Sequence, residues 1–176
     1  IAFVNELRVA MDAVNPNSLL TAAVAWQPSL FGNTQVHSNM DQINIMTYDM
    51  SGPWGGWVVW HNAAIYNGGV RFPGGTFVPS ADEEVNTFNT AGVPLNKLGI
   101  GMDFYGYVWN GVYYPGQDLG TVGTVTGNEP YYDIMTLYYQ PQYDRWDNAA
   151  KAAYLSIDNA GTASDKFISY DTEQTA

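Results

Sequence analysis

Aromatic and polar side chains follow three strand-like runs of this sequence, each at the point where the run ends. Trp26 closes the run at 18–26, Tyr105 closes the run at 97–105, and the run at 40–49 ends with Met46, Tyr48 and Asp49. Because the carboxyl ends of parallel strands meet at one edge, we expect these side chains to lie together. A phenol is neutral at pH 7 and donates a hydrogen bond, whereas an ionised aspartate accepts one. Such a set suits a neutral ligand with hydroxyl groups and C–H faces, such as a sugar.

A glycine-rich loop at 51–79 contains three tryptophans spaced three residues apart, namely Trp54, Trp57 and Trp60. A loop of this length inside a compact domain is usually functional or disordered, and its aromatic content favours an ordered loop. Two interpretations stay open. The indoles form a stacking wall for a ligand, or they pack into a small core of the loop itself.

The composition excludes several other classes of function. The 176 residues carry 17 acidic and 6 basic side chains, a net charge of −11, which gives no electrostatic surface for nucleic acid or an anionic membrane. The chain has no cysteine. His37 and His61 lack spaced metal-ligand partners and are interpreted as loop or surface residues, and neither a Walker lysine nor a G-x-S-x-G motif is found. We therefore expect no metal, no cofactor, no nucleic acid and no membrane as partners.

The elements that must position these residues alternate as in a parallel α/β fold. Apolar periodicity predicts a helix over 3–14, and a Ser80-x-x-Glu83 capping box predicts a second helix that ends at Gly92. The strand-like runs lack clean alternation, as in strands buried on both faces. A tyrosine-rich stretch at 109–165 predicts an α+β insertion with a short helix at 131–139, and a further strand follows at 166–170.

Both ends of the sequence look interrupted. No capping residue precedes the first helix, and Asp171 and Gln174 form a capping box that only two residues follow. We therefore interpret the chain as an internal part of a longer domain.

Four segments resemble, in order, the signatures of family 18 glycoside hydrolases, the chitinases. The segment QINIMTYDMSGPW at 42–54 is similar to the Met-x-Tyr-Asp signature of their sixth strand. The segment KLGIGMDFYGYVW at 97–109 is similar to their seventh strand, which usually ends Tyr-Gly-Arg-x-Trp. LLTAAVAW at 19–26 resembles their fifth strand, and KFISYDTEQT at 166–175 resembles the segment that opens their seventh helix. The resemblance covers essentially the whole chain.

The resemblance implies an α/β fold, namely a partial TIM (β/α)8 barrel of about strands 5 to 7 with an α+β insertion after strand 7. Residues 1–108 would form the partial barrel from helix 4 to strand 7, 109–165 the insertion, and 166–176 the return to the barrel at the start of helix 7. It also implies an extracellular, monomeric parent enzyme whose partner is chitin or chito-oligosaccharides.

The resemblance further implies hydrolysis of β-1,4-linked N-acetylglucosamine with retention of configuration, in which the substrate's own acetamido oxygen attacks the anomeric carbon. Tyr48 would orient that acetamido group, Asp49 would hydrogen-bond the distorted sugar, and Met46 would line the floor of the −1 subsite. These three are the expected catalytic set. The expected substrate-binding residues are Tyr105, on the wall of the cleft, together with Trp26, Trp54, Met102 and Asp103.

Two departures from the family pattern bear on activity. The glutamate of the family's Asp-x-x-Asp-x-Asp-x-Glu motif, its general acid, is absent, so we expect this chain alone to be inactive. Tyr107 stands where the family has arginine. Three alternatives stay open, namely a non-catalytic chitin- or glycan-binding lectin of the same fold, an endo-β-N-acetylglucosaminidase, and an unrelated aromatic-rich carbohydrate-binding module.

Overall fold

The computed structural model describes residues 1–32, 36–52, 54, 56–118 and 124–175. The chain divides into two units. The first comprises Ile1–Thr47 and Asp82–Gly101, and the second comprises Tyr48–Ala81 and Met102–Ala176. In the described ranges no helix is long and apolar enough to cross a membrane.

The first unit contains a parallel three-stranded sheet, as the alternation of elements predicts. Helix α1 (Ala2–Val14) precedes β1 (Thr21–Val24), and β2 (Gln42–Ile45) pairs with both β1 and β3 (Leu98–Ile100) in the order β1-β2-β3. Helix α2 (Ala81–Thr90) lies between β2 and β3 in the chain. Single-turn helices occupy Pro28–Leu30, Val36–Asn39 and Leu95–Lys97.

The strands are shorter than the apolar runs, and burial alternates along β2. Ile43 and Ile45 are buried, whereas Gln42 is exposed, so the expectation of burial on both faces was wrong for this strand. The buried face packs against Phe88 of α2. Helix α1 turns Val4 towards the same core, but its predicted apolar face is only half-buried at best.

The second unit is built on an antiparallel five-stranded sheet. Its strands are β4 (Tyr105–Asn110), β5 (Thr124–Pro130), β6 (Asp144–Asp147), β7 (Ala152–Ile157) and β8 (Lys166–Tyr170), in the order β5-β4-β8-β7-β6. Helix α3 (Tyr131–Leu137) matches the short helix predicted at 131–139. The boundaries differ from those predicted, because β4 begins before residue 109 and β8 pairs with β4 and β7 instead of returning to the parallel sheet.

Successive side chains of β4 alternate between the two faces of the sheet, and each face packs into a different core. Tyr105, Tyr107 and Trp109 lie on the face that packs with Phe167. Val108 lies on the other face, which packs against Ile134 of α3. The aromatic face of β4 is therefore the side of the sheet that carries hydrogen-bonding phenols.

Gly106 lies on β4 where a side chain would collide with the neighbouring strand. A Cβ at this position would lie 1.6 Å from the Ser169 carbonyl oxygen and 3.1 Å from Ile134 Cδ1. We expect Gly106→Ala to lower the free energy of unfolding by about 1–3 kcal/mol, the usual cost of overpacking. Urea unfolding of the gene product that carries this chain measures the effect. Gly74→Ala is the matched control, because a Cβ there meets nothing within 4 Å, and equal losses in both variants would contradict the prediction.

The tryptophan loop is ordered by a core of its own. Trp60 is fully buried with Met50 and Ala152, and its Nε1 donates a hydrogen bond to the Pro79 carbonyl oxygen at 3.1 Å. Tyr66 N–H donates to the Ala150 carbonyl oxygen at 3.0 Å, which joins the loop to the β6–β7 turn. Pro53 and Gly55 of this loop lie outside the described residues.

The predicted capping box after β8 is not formed. Instead of Asp171 capping a helix, the Thr172 hydroxyl accepts a hydrogen bond from Gln174 N–H at 3.2 Å, and residues 173–175 form a turn.

Candidate functional site

Tyr48 and Asp49 lie in the irregular segment that opens the second unit. Strand β2 ends at Ile45, so neither residue is part of the strand that the apolar run predicts. Asp49 has a φ of 60°, in the left-handed region. Its N–H donates to Asn62 Oδ1 at 3.0 Å, and the next N–H, that of Met50, donates to the Asn62 carbonyl oxygen at 3.0 Å.

The Asp49 carboxylate accepts hydrogen bonds from two phenols. The Tyr105 hydroxyl donates to Asp49 Oδ1 at 2.5 Å, and the Tyr107 hydroxyl donates to the same oxygen at 2.9 Å. Both tyrosines lie on the aromatic face of β4, two residues apart, so the strand period places their hydroxyls side by side. The neighbouring N–H of Tyr107 is fixed by the Ser169 hydroxyl oxygen at 3.0 Å.

Both phenols are held in the neutral form. Burial, reinforced by the Asp49 carboxylate, raises the pKa of Tyr107 to about 12 and raises the pKa of Tyr105 well above its ordinary value. Each hydroxyl therefore keeps its proton at neutral pH and acts as a hydrogen-bond donor.

Aromatic edges complete this cluster. The Tyr48 ring meets the Tyr105 ring edge-on, with centroids 6.2 Å apart and planes at 74°. The rings of Tyr105 and Tyr107 make a similar contact at 6.2 Å and 72°. We call Tyr48, Asp49, Tyr105 and Tyr107 the phenol–carboxylate cluster. It offers neutral donors, one carboxylate and aromatic edges, which is chemistry for binding and orienting a polar neutral molecule.

Asp103 differs from its predicted role as a residue that faces the ligand. Its side chain is 5% exposed, and Oδ2 accepts a hydrogen bond from Asn62 Nδ2. Burial, together with the neighbouring Asp171 carboxyl group, raises the pKa of Asp103 to about 9. Asp103 therefore lies behind the cluster, whereas its neighbour Met102 is 49% exposed.

The three tryptophans do not form one wall. Trp60 is a core residue, as described above. Trp57 packs between Trp54 and Phe72, with ring centroids at 4.7 and 4.9 Å. Trp54 is 42% exposed. The loop core thus accounts for Trp60, and a ligand-facing role is open to Trp54.

Trp26 and Met46 belong to the first unit, not to the unit that holds the cluster. Trp26 follows β1 and is 62% exposed. Met46 is half-buried, and its N–H donates to the Val24 carbonyl oxygen at 2.9 Å. Both lie just past the carboxyl ends of parallel strands, which is the position that the sequence predicts for them.

Sequence reasoning missed two residues of the site. Tyr107 could have been found, because the strand period that places Tyr105 places residue 107 on the same face. Asn62 carries no such signal, since its contacts with Asp49 and Asp103 join segments that are far apart in the chain.

His61 lies in the glycine-rich loop, as predicted, but it is not a surface residue. It is buried between Trp60, Tyr154 and Phe167, and its Nε2 lies 3.0 Å from Asp147 Oδ2. Burial lowers the pKa of His61, although the Asp147 carboxylate opposes the change. Across the ranges that the structure describes, no three acidic or histidine side chains are grouped to hold a metal ion.

Comparisons with known proteins agree with this chemistry. The profile for glycosyl hydrolases family 18 matches residues 1–176. Chitinase A1 from Niallia circulans is 32% identical over 97% of this chain and 27% of its own length. The structure of Chitinase ChiA74 from Bacillus thuringiensis has a TM-score of 0.77 and 26% identity, over 98% of this chain and 31% of that one. A mutant class V chitinase from Nicotiana tobaccum in complex with NAG4 has a TM-score of 0.67 and 27% identity, over 99% of this chain and 52% of that one.

The chain spans between about a quarter and a half of the length of these relatives. The profile match covers every residue, and the three relatives named above are all chitinases. This chain belongs to glycosyl hydrolases family 18, whose fold is a TIM barrel.

Proposed function

We propose that this chain forms part of the substrate cleft of an extracellular chitinase, which hydrolyses β-1,4 linkages between N-acetylglucosamine units of chitin. The observation that carries the proposal is the Asp49 carboxylate, which accepts hydrogen bonds from two neutral phenols beside the ring of Tyr48. Neutral donors and one carboxylate suit a substrate that supplies its own nucleophile. The protein then has to orient the acetamido group and stabilise the charge that develops on the sugar, and it does not itself attack the anomeric carbon.

The site residues take roles that follow from their positions. Tyr48 orients the acetamido group of the −1 sugar. Asp49 accepts a hydrogen bond from the distorted sugar while the bond to the leaving group breaks. Tyr105 lines the wall of the cleft. Trp26, Trp54 and Met102 are exposed and offer stacking faces, and the half-buried Met46 lines the floor of the −1 subsite.

The two units correspond to two parts of the parent enzyme in this proposal. The parallel sheet β1-β2-β3 is a section of the barrel, about strands 5 to 7, and the antiparallel sheet belongs to the α+β insertion that follows strand 7. The general acid comes from outside these 176 residues, because the family's Asp-x-x-Asp-x-Asp-x-Glu motif is not among them. A general acid is worth about 10²–10⁴-fold in rate, so the chain alone should release no chito-oligosaccharides.

The experiment compares two substrates with the purified gene product that carries this chain. Chitotetraose and a high-mannose glycopeptide are incubated separately, and the products are analysed by mass spectrometry. The proposal requires shorter chito-oligosaccharides from the first and no cleavage of the second. Cleavage of the glycopeptide alone would establish an endo-β-N-acetylglucosaminidase, and binding of chitotetraose without cleavage would establish a lectin.

A further inference from the structure

The backbone of Asp49 is held by a single buried residue. Its φ of 60° is a conformation that residues with a Cβ adopt at a cost unless the surroundings hold it. Asn62 is 2% exposed and accepts two consecutive backbone N–H groups, that of Asp49 on its side-chain oxygen and that of Met50 on its carbonyl oxygen. The position of the Asp49 carboxylate therefore depends on Asn62.

The amide of Asn62 is oriented by acceptors on its other side. Its Nδ2 donates to Asp103 Oδ2 and makes a longer contact, 3.5 Å, with the Tyr105 carbonyl oxygen. If the amide were rotated by half a turn, its oxygen would face these two acceptors and its NH₂ group would face the N–H of Asp49. Asp103 thus determines which way Asn62 points.

Asp103 is placed to keep Asn62 in this orientation. Its side chain is 5% exposed, and its Oδ2 accepts the hydrogen bond from Asn62 Nδ2. Its Oδ1 is buried and has no N–H or hydroxyl donor within the described part of the chain. The hydrogen bond to Asn62 is therefore the side-chain contact that ties this carboxyl group to the cluster.

Resting on the function proposed above, we propose that Asn62 and Asp103 are positioning residues for Asp49. Asp103 accepts from Asn62 and so orients its amide, and Asn62 fixes the left-handed backbone that places the Asp49 carboxylate against Tyr105 and Tyr107. Neither Asn62 nor Asp103 has to touch the substrate.

The test uses two substitutions of Asp103 in the gene product that carries this chain. Asp103→Ala removes the acceptor for Asn62, and we expect kcat for chitotetraose to fall by about 30-fold with KM little changed, because misplaced catalytic groups cost rate more than binding. In Asp103→Asn the side-chain oxygen still accepts from Asn62 Nδ2. We expect this variant to keep most of the wild-type kcat.

Amide hydrogen exchange at Asp49 gives a readout that does not depend on catalysis. We expect exchange at least about tenfold faster in Asp103→Ala and wild-type exchange in Asp103→Asn. A wild type that is inactive on chitotetraose would overturn the proposed function, while the exchange data would still decide on the network. Wild-type kcat and wild-type exchange in Asp103→Ala would overturn the inference. If that variant does not fold, a large loss of kcat with faster exchange at Asp49 in Asp103→Asn, which keeps the acceptor for Asn62, overturns it instead.

Discussion

Asp49→Asn will lower kcat for chitotetraose hydrolysis by about 10²-fold in the gene product that carries this chain, the usual loss when one preorganised electrostatic partner is removed. The substitution removes the negative charge of the carboxylate to which both phenols donate a hydrogen bond, at the same oxygen. Asparagine tolerates the left-handed backbone at residue 49 as well as aspartate does, so the fold is kept. Steady-state kinetics at neutral pH measure the loss.

Tyr107→Phe is the graded control for this prediction. It removes one of the two donors and leaves Tyr105, so we expect a smaller loss, about three- to tenfold, in line with a net contribution of about 1 kcal/mol from one hydrogen bond. The account is contradicted if Asp49→Asn keeps more than a third of wild-type kcat, or if the tyrosine variant is the more damaging of the two.

Trp60→Ala will destabilise the protein by about 3–5 kcal/mol, the usual cost of deleting a large buried aromatic side chain. The indole is fully buried with Met50 and Ala152, and its N–H is satisfied by the Pro79 carbonyl oxygen. Truncation leaves a cavity and an unpaired acceptor beside the segment that carries Asp49. Urea unfolding monitored by circular dichroism measures the change.

Trp54→Ala is the matched variant in the same loop. It should change stability little and weaken the binding of chitotetraose. The side chain is 42% exposed, so we expect a stability change below about 1 kcal/mol. Because the exposed indole offers a stacking face, affinity for chitotetraose should fall about five- to tenfold. Calorimetric titration checks the affinity. Equal stability losses at both tryptophans would contradict the division of this loop into a core and a ligand-facing side chain.

Local signals in the sequence were sufficient for most of the elements. The apolar runs and the Ser80 capping box predict β1, β2, β3 and α2, because strand burial and helix ends depend on nearby residues. The run at 97–105 was predicted as one strand, yet it contributes β3 to a parallel sheet and Tyr105 to an antiparallel one. Which partner a segment pairs with is a tertiary property, and a single run of residues does not encode it locally.

The site residues also divide into those that local sequence predicts and those that depend on tertiary contacts. Tyr48, Asp49 and Tyr105 could be expected together from their positions after strand-like runs. The buried contacts of Asn62 with Asp103, and of His61 with Asp147, join residues 41 and 86 positions apart. Nothing in the local sequence distinguishes these side chains from polar loop residues, so their burial could be found only from the folded chain.

The initial anomer of the product tests the central claim most directly. Chitotetraose is added to the gene product that carries this chain, and proton NMR follows the newly formed reducing ends before they mutarotate. Attack by the substrate's own acetamido oxygen requires two inversions, so the account predicts the β-anomer first, with formation greatly slowed in Tyr48→Phe. The α-anomer first, or the same initial rate in Tyr48→Phe as in the wild type, would contradict it.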